Sequence, residues 1–456
     1  METRRQLVHT SVGLFALLLH WMPAWGGLLF AATAVAANLT LLPRVAPGLF
    51  RAKEAGKGFA TGVVLYPLAV LFLIIVFHDR LHLAALLWAV LAFGDGPATL
   101  AGRAFGRTRL PWNRDKSWAG SIAYFLCGGI AATLISWWVA LGTAPEHASL
   151  GYLAALSFAT ALMGALIESV PIGLDDNVSV PLLGALFLQS LTLLEPGRIS
   201  EGVPLLIQRA PLALAVNFAL AALAFASRSV KLSGVIAGIL IGAGIYLFGG
   251  APAFGILLLF FVMGSGASKL GYKRKAARGL AQEEGGRRGA KHAIANCGVA
   301  LFLAFLAFAT GHQYLCLIGF VAAFATAASD TVSSEIGQLI GKHPFLITTL
   351  RPVPAGTEGA VSVEGTVAGI LASLIVAVVA AVALLAPAGQ ALAIPAMPAI
   401  LCIVAGAFIG TTLESVLGAT LEKLELIDNE AVNFANTLIG ALAAIALALA
   451  FGLDLA

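Results

Sequence analysis

Two short stretches rich in charge and glycine interrupt the long apolar runs of this chain. The first begins at Asp95, which has a glycine on either side, and continues through Arg103 and Arg107 to Lys116 and Ser117. The chain is 59% hydrophobic and only 11% charged, and ionisable groups at membrane depth are costly unless they serve a function. Acids that can hold a divalent cation, beside bases that can hold phosphate, predict nucleotide-dependent phosphoryl transfer at a membrane surface.

The basic part of the first stretch has the spacing of a phosphate-binding site. Arg103 and Arg107 are four residues apart, so they share one helical face from which both can hold phosphate oxygens. Lys116, Ser117 and Ser121 open the next apolar segment, and the free amides of a helix N-terminus bind anions. A loop in which these ions only pair with one another is the alternative explanation.

Two further polar patches should join this site from other segments. Glu168 ends one apolar segment, and Asp175, Asp176 and Asn177 precede the next. Several carboxylates at one membrane depth suit a Mg²⁺–triphosphate complex, because the metal must neutralise phosphate charge during transfer. For this half we predict Asp95, Lys116, Glu168 and Asp176 as catalytic residues, Asp95, Asp175 and Asp176 as Mg²⁺ ligands, and Arg103, Arg107, Lys116, Ser117, Ser121 and Asn177 as phosphate contacts.

The second stretch starts with Asp330 and Glu335 and continues into a loop rich in proline and glycine. In a helix these two acids would lie about 140° apart around the axis. Irregular backbone such as the loop around Arg351 is tolerated only at an interface or along a cavity. A polar network that only ties helices together is the alternative. We predict Asp330, Glu335, Arg351 and Glu358 as catalytic, Asp330, Glu335 and Glu414 as Mg²⁺ ligands, and Arg288, Asn296, Arg351, Thr357, Asn433 and Asn436 as nucleotide or phosphate contacts.

The apolar runs that must position these residues predict an all-α polytopic integral membrane protein. A mean hydropathy of +0.94 and 50 glycines exclude an ordinary soluble globule. At about 20 residues per span we identify roughly 15 transmembrane segments, of which the second and twelfth are short enough to be re-entrant. They start near residues 8, 25, 59, 83, 118, 151, 179, 211, 233, 251, 293, 314, 364, 397 and 431.

A short basic turn near residue 228 divides the chain into two predicted helical bundles, residues 1–227 and 228–456. Each half holds its own apolar segments and its own polar stretch. The halves do not align as a sequence repeat, so two different modules fused in series are predicted.

The basic residues predict the orientation. If the N-terminus is cytoplasmic, every Lys and Arg except Arg80, Arg198 and Arg209 falls on the inner side, as the positive-inside rule requires. The sequence thus predicts a multi-pass protein of the cell (inner) membrane with both polar stretches facing the cytoplasm. The net charge of +4 predicts contact with anionic lipids and not with nucleic acid. On this view Lys275 and its basic neighbours Lys273, Arg274 and Arg278 only set the topology.

The first half resembles the CTP-dependent lipid kinases, a family that includes dolichol kinase, phytol kinase and the yeast-type diacylglycerol kinase. The matching pieces span roughly residues 1–227 and are Arg4-Arg5…His9…Gly13, Asp95-Gly-Pro-Ala, Gly102-Arg-x-Phe-Gly-Arg107, Lys116-Ser-x-x-Gly-Ser121, Ile-Glu168-Ser and Leu-Asp-Asp-Asn177-Val. The resemblance implies CTP as donor and a lipid alcohol as acceptor. Ala119 departs from the pattern, because relatives often carry a glutamate before the glycine that corresponds to Gly120.

The second half resembles the phytyl-phosphate kinase of vitamin E synthesis and its bacterial and animal relatives. The matching pieces lie within residues 229–452 and include Ser-Asp330-Thr-x-Ser-Ser-Glu335, Arg351-Pro-Val-Pro-x-Gly-Thr-Glu358, Leu-Glu414-Ser and Asn433-Phe-x-Asn436. The resemblance implies addition of a second phosphate to a prenyl monophosphate.

Together the two resemblances predict a bifunctional kinase that converts a prenyl alcohol (phytol, geranylgeraniol or a polyprenol) to its monophosphate and then its diphosphate, with Mg²⁺ and CTP or ATP. Three alternatives remain: a CTP-dependent cytidylyltransferase, a diacylglycerol kinase and a transporter of an anionic lipid. The transporter is disfavoured because the charges crowd one face.

Overall fold

The computed structural model describes residues 10–41, 61–170, 174–227, 230–277, 288–385, 396–424 and 426–453. Arg4, Arg5 and His9, which the first resemblance includes, lie outside the described residues. The chain forms two compact units, Met1–Thr192 and Leu193–Ala456. The boundary between the units lies before the predicted division near residue 228, so one more helix belongs to the second unit.

The first unit is built from helices that follow a short 3-10 helix at Leu14–His20. The helices are α1 (Ala24–Thr40), α2 (Thr61–Val76), α3 (Leu81–Phe105), α4 (Trp118–Thr143), α5 (Leu150–Ser169) and α6 (Asp176–Thr192). Helix α3 is central, because every residue from Leu81 to Ala92 is buried. Asp95 follows this buried run on the same helix.

The second unit begins with the helix that the predicted division assigned to the first half. Its helices are α7 (Pro196–Ala226), α8 (Leu232–Lys269), α9 (Tyr272–Ala277), α10 (Ala290–Ala309), α11 (Gln313–Ile340), α12 (Val363–Ala383), α13 (Ala396–Leu417) and α14 (Asn429–Ala450). Between α11 and α12, strands β1 (Phe345–Leu346) and β2 (Ala360–Val361) pair antiparallel. Helix α11 is central, since Leu315 to Ser329 is continuously buried.

Helix α8 consists of two arms that fold back on each other at Gly250. This residue has φ +72° and ψ −170°, a backbone conformation that essentially only glycine adopts. Phe254 in the second arm packs against Tyr246 in the first, with ring centroids 5.6 Å apart. The Arg209 guanidinium donates to the Leu247 carbonyl at 2.8 Å and thereby satisfies a backbone acceptor at the end of the first arm.

The prediction of an all-α multi-pass membrane protein is confirmed. Among the described residues, 10 helices are long and apolar enough to cross a membrane, and three shorter apolar helices accompany them. Each of the predicted segments corresponds to a helix, with the ninth and tenth forming the two arms of α8. The twelfth segment is not short: α11 has 28 residues, because its polar residues from Ser329 onward continue the helix.

Candidate functional site

The predicted catalytic residues of the first unit surround the ammonium group of Lys116. Lys116 Nζ donates to Glu168 Oε1 at 2.5 Å and lies 3.7 Å from Asp176 Oδ2. The carboxylate of Asp95 interacts electrostatically with all three groups. Burial alone would lower the pKa of Lys116, but the carboxylates of Glu168 and Asp176 outweigh it and raise this pKa. Lys116 is therefore a cation among three acids.

A short hairpin between α3 and α4 holds Lys116 in this position. The Leu110 amide donates to the Lys116 carbonyl at 3.1 Å, which closes the hairpin. Asn113 Nδ2 donates to the Ser169 carbonyl at 3.1 Å, and Trp112 Nε1 donates to Ser169 Oγ at 3.2 Å. Because Ser169 directly follows Glu168, these bonds fix the hairpin against the end of α5 and bring Lys116 to Glu168.

Gly102 and Gly106 let the end of α3 approach the start of α4. Ser117 Oγ accepts a hydrogen bond from the Gly120 amide at 3.2 Å and so caps α4. A Cβ atom on Gly106 would lie 2.8 Å from Ser117 Oγ and 2.0 Å from the Gly102 carbonyl oxygen. No side chain fits there without a shift in the backbone.

A cavity of about 570 Å³ lies beside the junction of α3 and α4. Its basic wall gives it the composition of an anion site. Six predicted residues line it: Arg103, Arg107, Lys116, Ser117, Ser121 and Glu168. Arg109 and Thr99 line it too and are absent from the predicted site residues. Arg109 belongs to the same basic run in the sequence, which is the signal that could have identified it.

Asp175 and Asn177 bind each other at the start of α6. Asp175 Oδ1 accepts from the Asn177 backbone amide at 3.0 Å and from Asn177 Nδ2 at 2.8 Å. This is the pattern of a helix cap. The carboxylate of Asp176, in contrast, faces Lys116.

The second unit repeats the α3–α4 junction of the first. Asp330, Gly337 and Gly341 on and after α11 have the same spacing as Asp95, Gly102 and Gly106 on and after α3. Ser362 Oγ accepts from the Gly365 amide at 3.1 Å and caps α12, as Ser117 caps α4. A Cβ atom on Gly341 would lie 2.9 Å from Ser362 Oγ and 2.4 Å from the Gly337 carbonyl oxygen.

The repeat extends to the acid at the end of the third helix. Glu414 and Ser415 lie in the last turn of α13, and Glu168 and Ser169 are the last two residues of α5. The carboxylates of Glu414 and Asp330 interact electrostatically. The loop before α12 packs on this helix end, because a Cβ atom on Gly359 would lie 2.5 Å from the Ser415 carbonyl oxygen. We call this arrangement of Asp, two Gly, a capping Ser and Glu-Ser the shared frame.

Three predicted residues of the second unit lie in the exposed loop between α11 and α12: Arg351, Thr357 and Glu358. Thr357 Oγ1 donates to the Pro354 carbonyl at 2.8 Å. The Glu358 carboxylate interacts with that of Glu422, which in turn interacts with Asp330. Glu422, which was not predicted, thus lies between the loop and the frame.

Asn433 and Asn436, two of the predicted asparagines, lie along α14. Asn433 Nδ2 donates to Asn429 Oδ1 at 3.2 Å. Asn436 is 1% exposed and packs against Gly410 of α13. Among the described residues, its Oδ1 has no hydrogen-bond partner.

Glu335 does not join Asp330 as the predicted metal site requires. It points to another face of α11, as the 140° helical offset indicates, and its carboxylate binds Lys275. Both side chains are buried, at 2% exposure for Lys275 and 7% for Glu335. Lys275 is therefore a buried structural partner, and its interpretation as a purely topological charge is wrong. Arg288, Asn296 and Glu335 line a separate cavity of about 690 Å³.

Comparisons with known proteins identify a membrane-protein family and several relatives. The model of the integral membrane protein family DUF92 matches residues 215–441. Over 194 residues, 42% of this chain and 71% of its relative, the chain is 43% identical to the uncharacterized membrane protein sll0875 of Synechocystis. The chain belongs to the DUF92 family. The matched region includes every predicted site residue of the second unit. No solved structure matches the chain.

Two plant proteins are also similar to this DUF92 protein. It is 36% identical to the chloroplastic protein VTE6 of Arabidopsis thaliana over 220 residues, 47% of this chain and 63% of VTE6. It is also 36% identical to the chloroplastic phytol kinase 1 of Arabidopsis thaliana over 142 residues, 29% of this chain and 42% of the kinase. The family relationship predicted from the motifs is confirmed. The chain spans less than two thirds of either plant protein.

Proposed function

We propose that this protein is a bifunctional membrane kinase that phosphorylates a prenyl alcohol to its monophosphate and then to its diphosphate. The first unit would carry out the first step and the second unit the second. The observation that carries the proposal is Lys116, held between Glu168 and Asp176 beside a cavity with a basic wall. The relationship to phytol kinase supports the same reaction class.

In the first unit, the basic wall of the cavity suits a nucleoside triphosphate. Arg103, Arg107 and Arg109 would bind phosphate oxygens, and the capped start of α4 would add backbone amides. Asp95 or Asp176 would accept the proton of the alcohol. Phosphoryl transfer needs mostly positioning and charge neutralisation, and the hairpin supplies positioning through its bonds to Ser169.

The shared frame supports the same role for the second unit. Asp330 takes the position of Asp95, and Glu414 that of Glu168. We propose that the nucleotide phosphates bind beside the capped start of α12, under the loop that carries Thr357. The alternative of a polar network that only ties helices together does not explain why its glycine spacing repeats that of the first unit.

The carboxylates fit Mg²⁺ that arrives with nucleotide. No group of three or more His, Cys, Asp or Glu side chains within the described ranges is arranged to hold a metal ion. Mg²⁺ commonly binds through one or two carboxylates plus substrate phosphates, and Asp95 with Asp176, or Asp330 with Glu414, provide such pairs. When bound, the ion would neutralise phosphate charge during transfer.

We propose that both frames face the cytoplasm, with the N-terminus inside. The one-sided distribution of Lys and Arg supports this orientation. Single cysteines at positions 115, 357 and 147 can test it in a variant that lacks the four native cysteines. Asp115→Cys and Thr357→Cys should react only after the inner face is opened, and His147→Cys should react from outside. Labelling of position 357 from outside in intact cells would contradict this orientation for the second unit.

The direct test of function uses the purified full chain in lipid nanodiscs. The protein is given CTP or ATP labelled in the γ-phosphate, with phytol, geranylgeraniol or a longer polyprenol, and the products are separated by chromatography. We expect labelled prenyl monophosphate first, labelled diphosphate later, and nucleoside diphosphate as the coproduct. Release of pyrophosphate with a CDP-lipid would instead identify a cytidylyltransferase. Phosphorylation of diacylglycerol alone would identify a diacylglycerol kinase.

A further inference from the structure

The second unit contains an elongated cavity of about 690 Å³ that the shared frame does not explain. Most of its wall is apolar and comes from α7 and both arms of α8, including Leu220, Leu257 and Phe260. Its size lies within the range of small-molecule sites, about 300–1,000 Å³. Leu223 lines the cavity and is nevertheless 67% exposed. The cavity therefore reaches the outer surface of α7, where lipid would lie.

One end of the cavity is polar and, among the described residues that line it, carries a net positive charge. Lys275 and Glu335 form an ion pair there, so their charges nearly cancel. The Arg288 guanidinium adds a cation, and no carboxylate of the described residues lies within 4.0 Å of it. Burial lowers the pKa of Arg288, since a charge away from water is costly. An anion at this end would stabilise the guanidinium.

Neutral donors surround the same end. Ser268 Oγ is buried without a hydrogen-bond partner among the described residues and lines the cavity. A Cβ atom on Gly264, one turn earlier on α8, would lie 3.7 Å from the Arg288 guanidinium, so Arg288 and Ser268 border the same part of α8. Asn296 also lines the cavity, and its Nδ2 donates to the His292 carbonyl at 3.0 Å. A hydroxyl, an amide and a guanidinium around one space match the acceptors of a phosphate.

We propose that this cavity is a binding site for a single-chain prenyl monophosphate. Its phosphate would bind Arg288 and Ser268, and its chain would lie along the apolar wall between α7 and α8. The ion pair with Glu335 holds Lys275 at the edge of the site. This inference rests on the proposed function, because a prenyl monophosphate is the acceptor that the second step requires.

The cavity also gives Glu335 a role other than metal binding. Lys275 Nζ donates to the Ser268 carbonyl at 3.1 Å as well as to Glu335. These bonds tie α9 to the end of α8 and to α11. We therefore assign Glu335 as a positioning residue, which shapes the phosphate end of the cavity through Lys275.

Binding without nucleotide tests the site independently of kinase activity. Full-length protein in nanodiscs is titrated with geranylgeranyl monophosphate and, separately, with geranylgeraniol. We expect the monophosphate to bind more tightly, and Arg288→Gln to weaken monophosphate binding about tenfold or more with the alcohol affinity unchanged. Arg274→Gln removes an exposed cation that does not line the cavity and is the matched control. We expect it to change neither affinity.

Two further experiments test which ligand binds and whether its chain lies along the apolar wall. Ala221→Trp places a large side chain in the apolar wall. It should weaken the binding of both ligands, because it obstructs the prenyl chain and not the phosphate. Dioleoyl phosphatidate, which has two chains, should compete poorly with geranylgeranyl monophosphate. Unchanged monophosphate binding in Arg288→Gln, or stronger competition by phosphatidate, would overturn the proposal. If the binding pattern holds but the protein phosphorylates no prenyl monophosphate, the proposed function is wrong and the cavity assignment stands.

Discussion

The two units use the same frame but balance its negative charge differently. In the first unit, Lys116 from the hairpin contacts Glu168 and Asp176. In the second unit, no Lys or Arg of the described residues lies within 4.0 Å of Asp330 or Glu414. The position before the capping serine is Lys116 in one unit and Val361 in the other. The frame thus tolerates different charges, and we expect the second unit to obtain a cation from its ligands.

The largest expected effect is on the first step. Asp95→Asn should lower formation of prenyl monophosphate by about a hundredfold or more, because a charge in a water-poor site contributes this much to transfer. Supplied monophosphate should still become diphosphate. Radiolabelled product analysis measures both rates. Asp79→Asn, an exposed acid elsewhere in the unit, is the control, and near-normal alcohol phosphorylation in Asp95→Asn would disprove the assignment of Asp95.

The reciprocal change should stop the second step. Asp330→Asn is expected to lower diphosphate formation by a similar factor of about a hundred and to make monophosphate accumulate. Time courses from geranylgeraniol detect this accumulation, with Glu201→Gln on exposed α7 as the control. If Asp330→Asn stops both steps, the shared frame does not mark two separate sites.

A smaller effect is expected when the cation of the first unit is removed. Lys116→Met leaves Glu168 buried without its partner and should lower the free energy of unfolding by about 1–2 kcal/mol. This is less than the 3–5 kcal/mol typical of fully buried pairs, because the Lys116 side chain is 35% exposed. The double variant Lys116→Met/Glu168→Gln should regain stability but not alcohol kinase activity. Recovery of activity would mean that Lys116 is only structural.

The difference in charge balance also predicts a difference in metal dependence. Since no Lys or Arg in the described part of the chain lies within 4.0 Å of Asp330 or Glu414, the second step should need more free Mg²⁺ than the first. Titration of Mg²⁺ at constant nucleotide, with each step assayed from its own acceptor, gives the two midpoints. Equal midpoints would show that Lys116 does not substitute for bound cation.

The smallest expected effect tests whether the frame is the same in both units. Ser117→Ala and Ser362→Ala each remove a helix cap and should lower the free energy of unfolding by about 1 kcal/mol. Equilibrium unfolding in mixed micelles measures both, with Ser227→Ala outside the frame for comparison. A loss in one variant only would show that the two caps are not equivalent.

The sequence predicted the helices well and anticipated the clustering of Asp95, Lys116 and Glu168, for a physical reason. Apolar runs of membrane length allow little besides helices, and Asp95, Lys116 and Glu168 lie at helix ends that short loops bring together. The ion pair of Glu335 with Lys275 was not anticipated, because Lys275 lies in a basic run that topology alone explains. The loop before α12 is longer than the hairpin before α4, and this difference hides the shared frame from an alignment by eye.

Mixing two inactive variants tests whether each unit catalyses one step by itself. Asp95→Asn and Asp330→Asn proteins are reconstituted separately and together in vesicles that contain geranylgeraniol and Mg²⁺-nucleotide. We predict that neither variant alone converts the alcohol to diphosphate and that the mixture does, because monophosphate made by one protein diffuses to the other. A mixture that makes no diphosphate, although Asp330→Asn alone still makes monophosphate, would contradict the account.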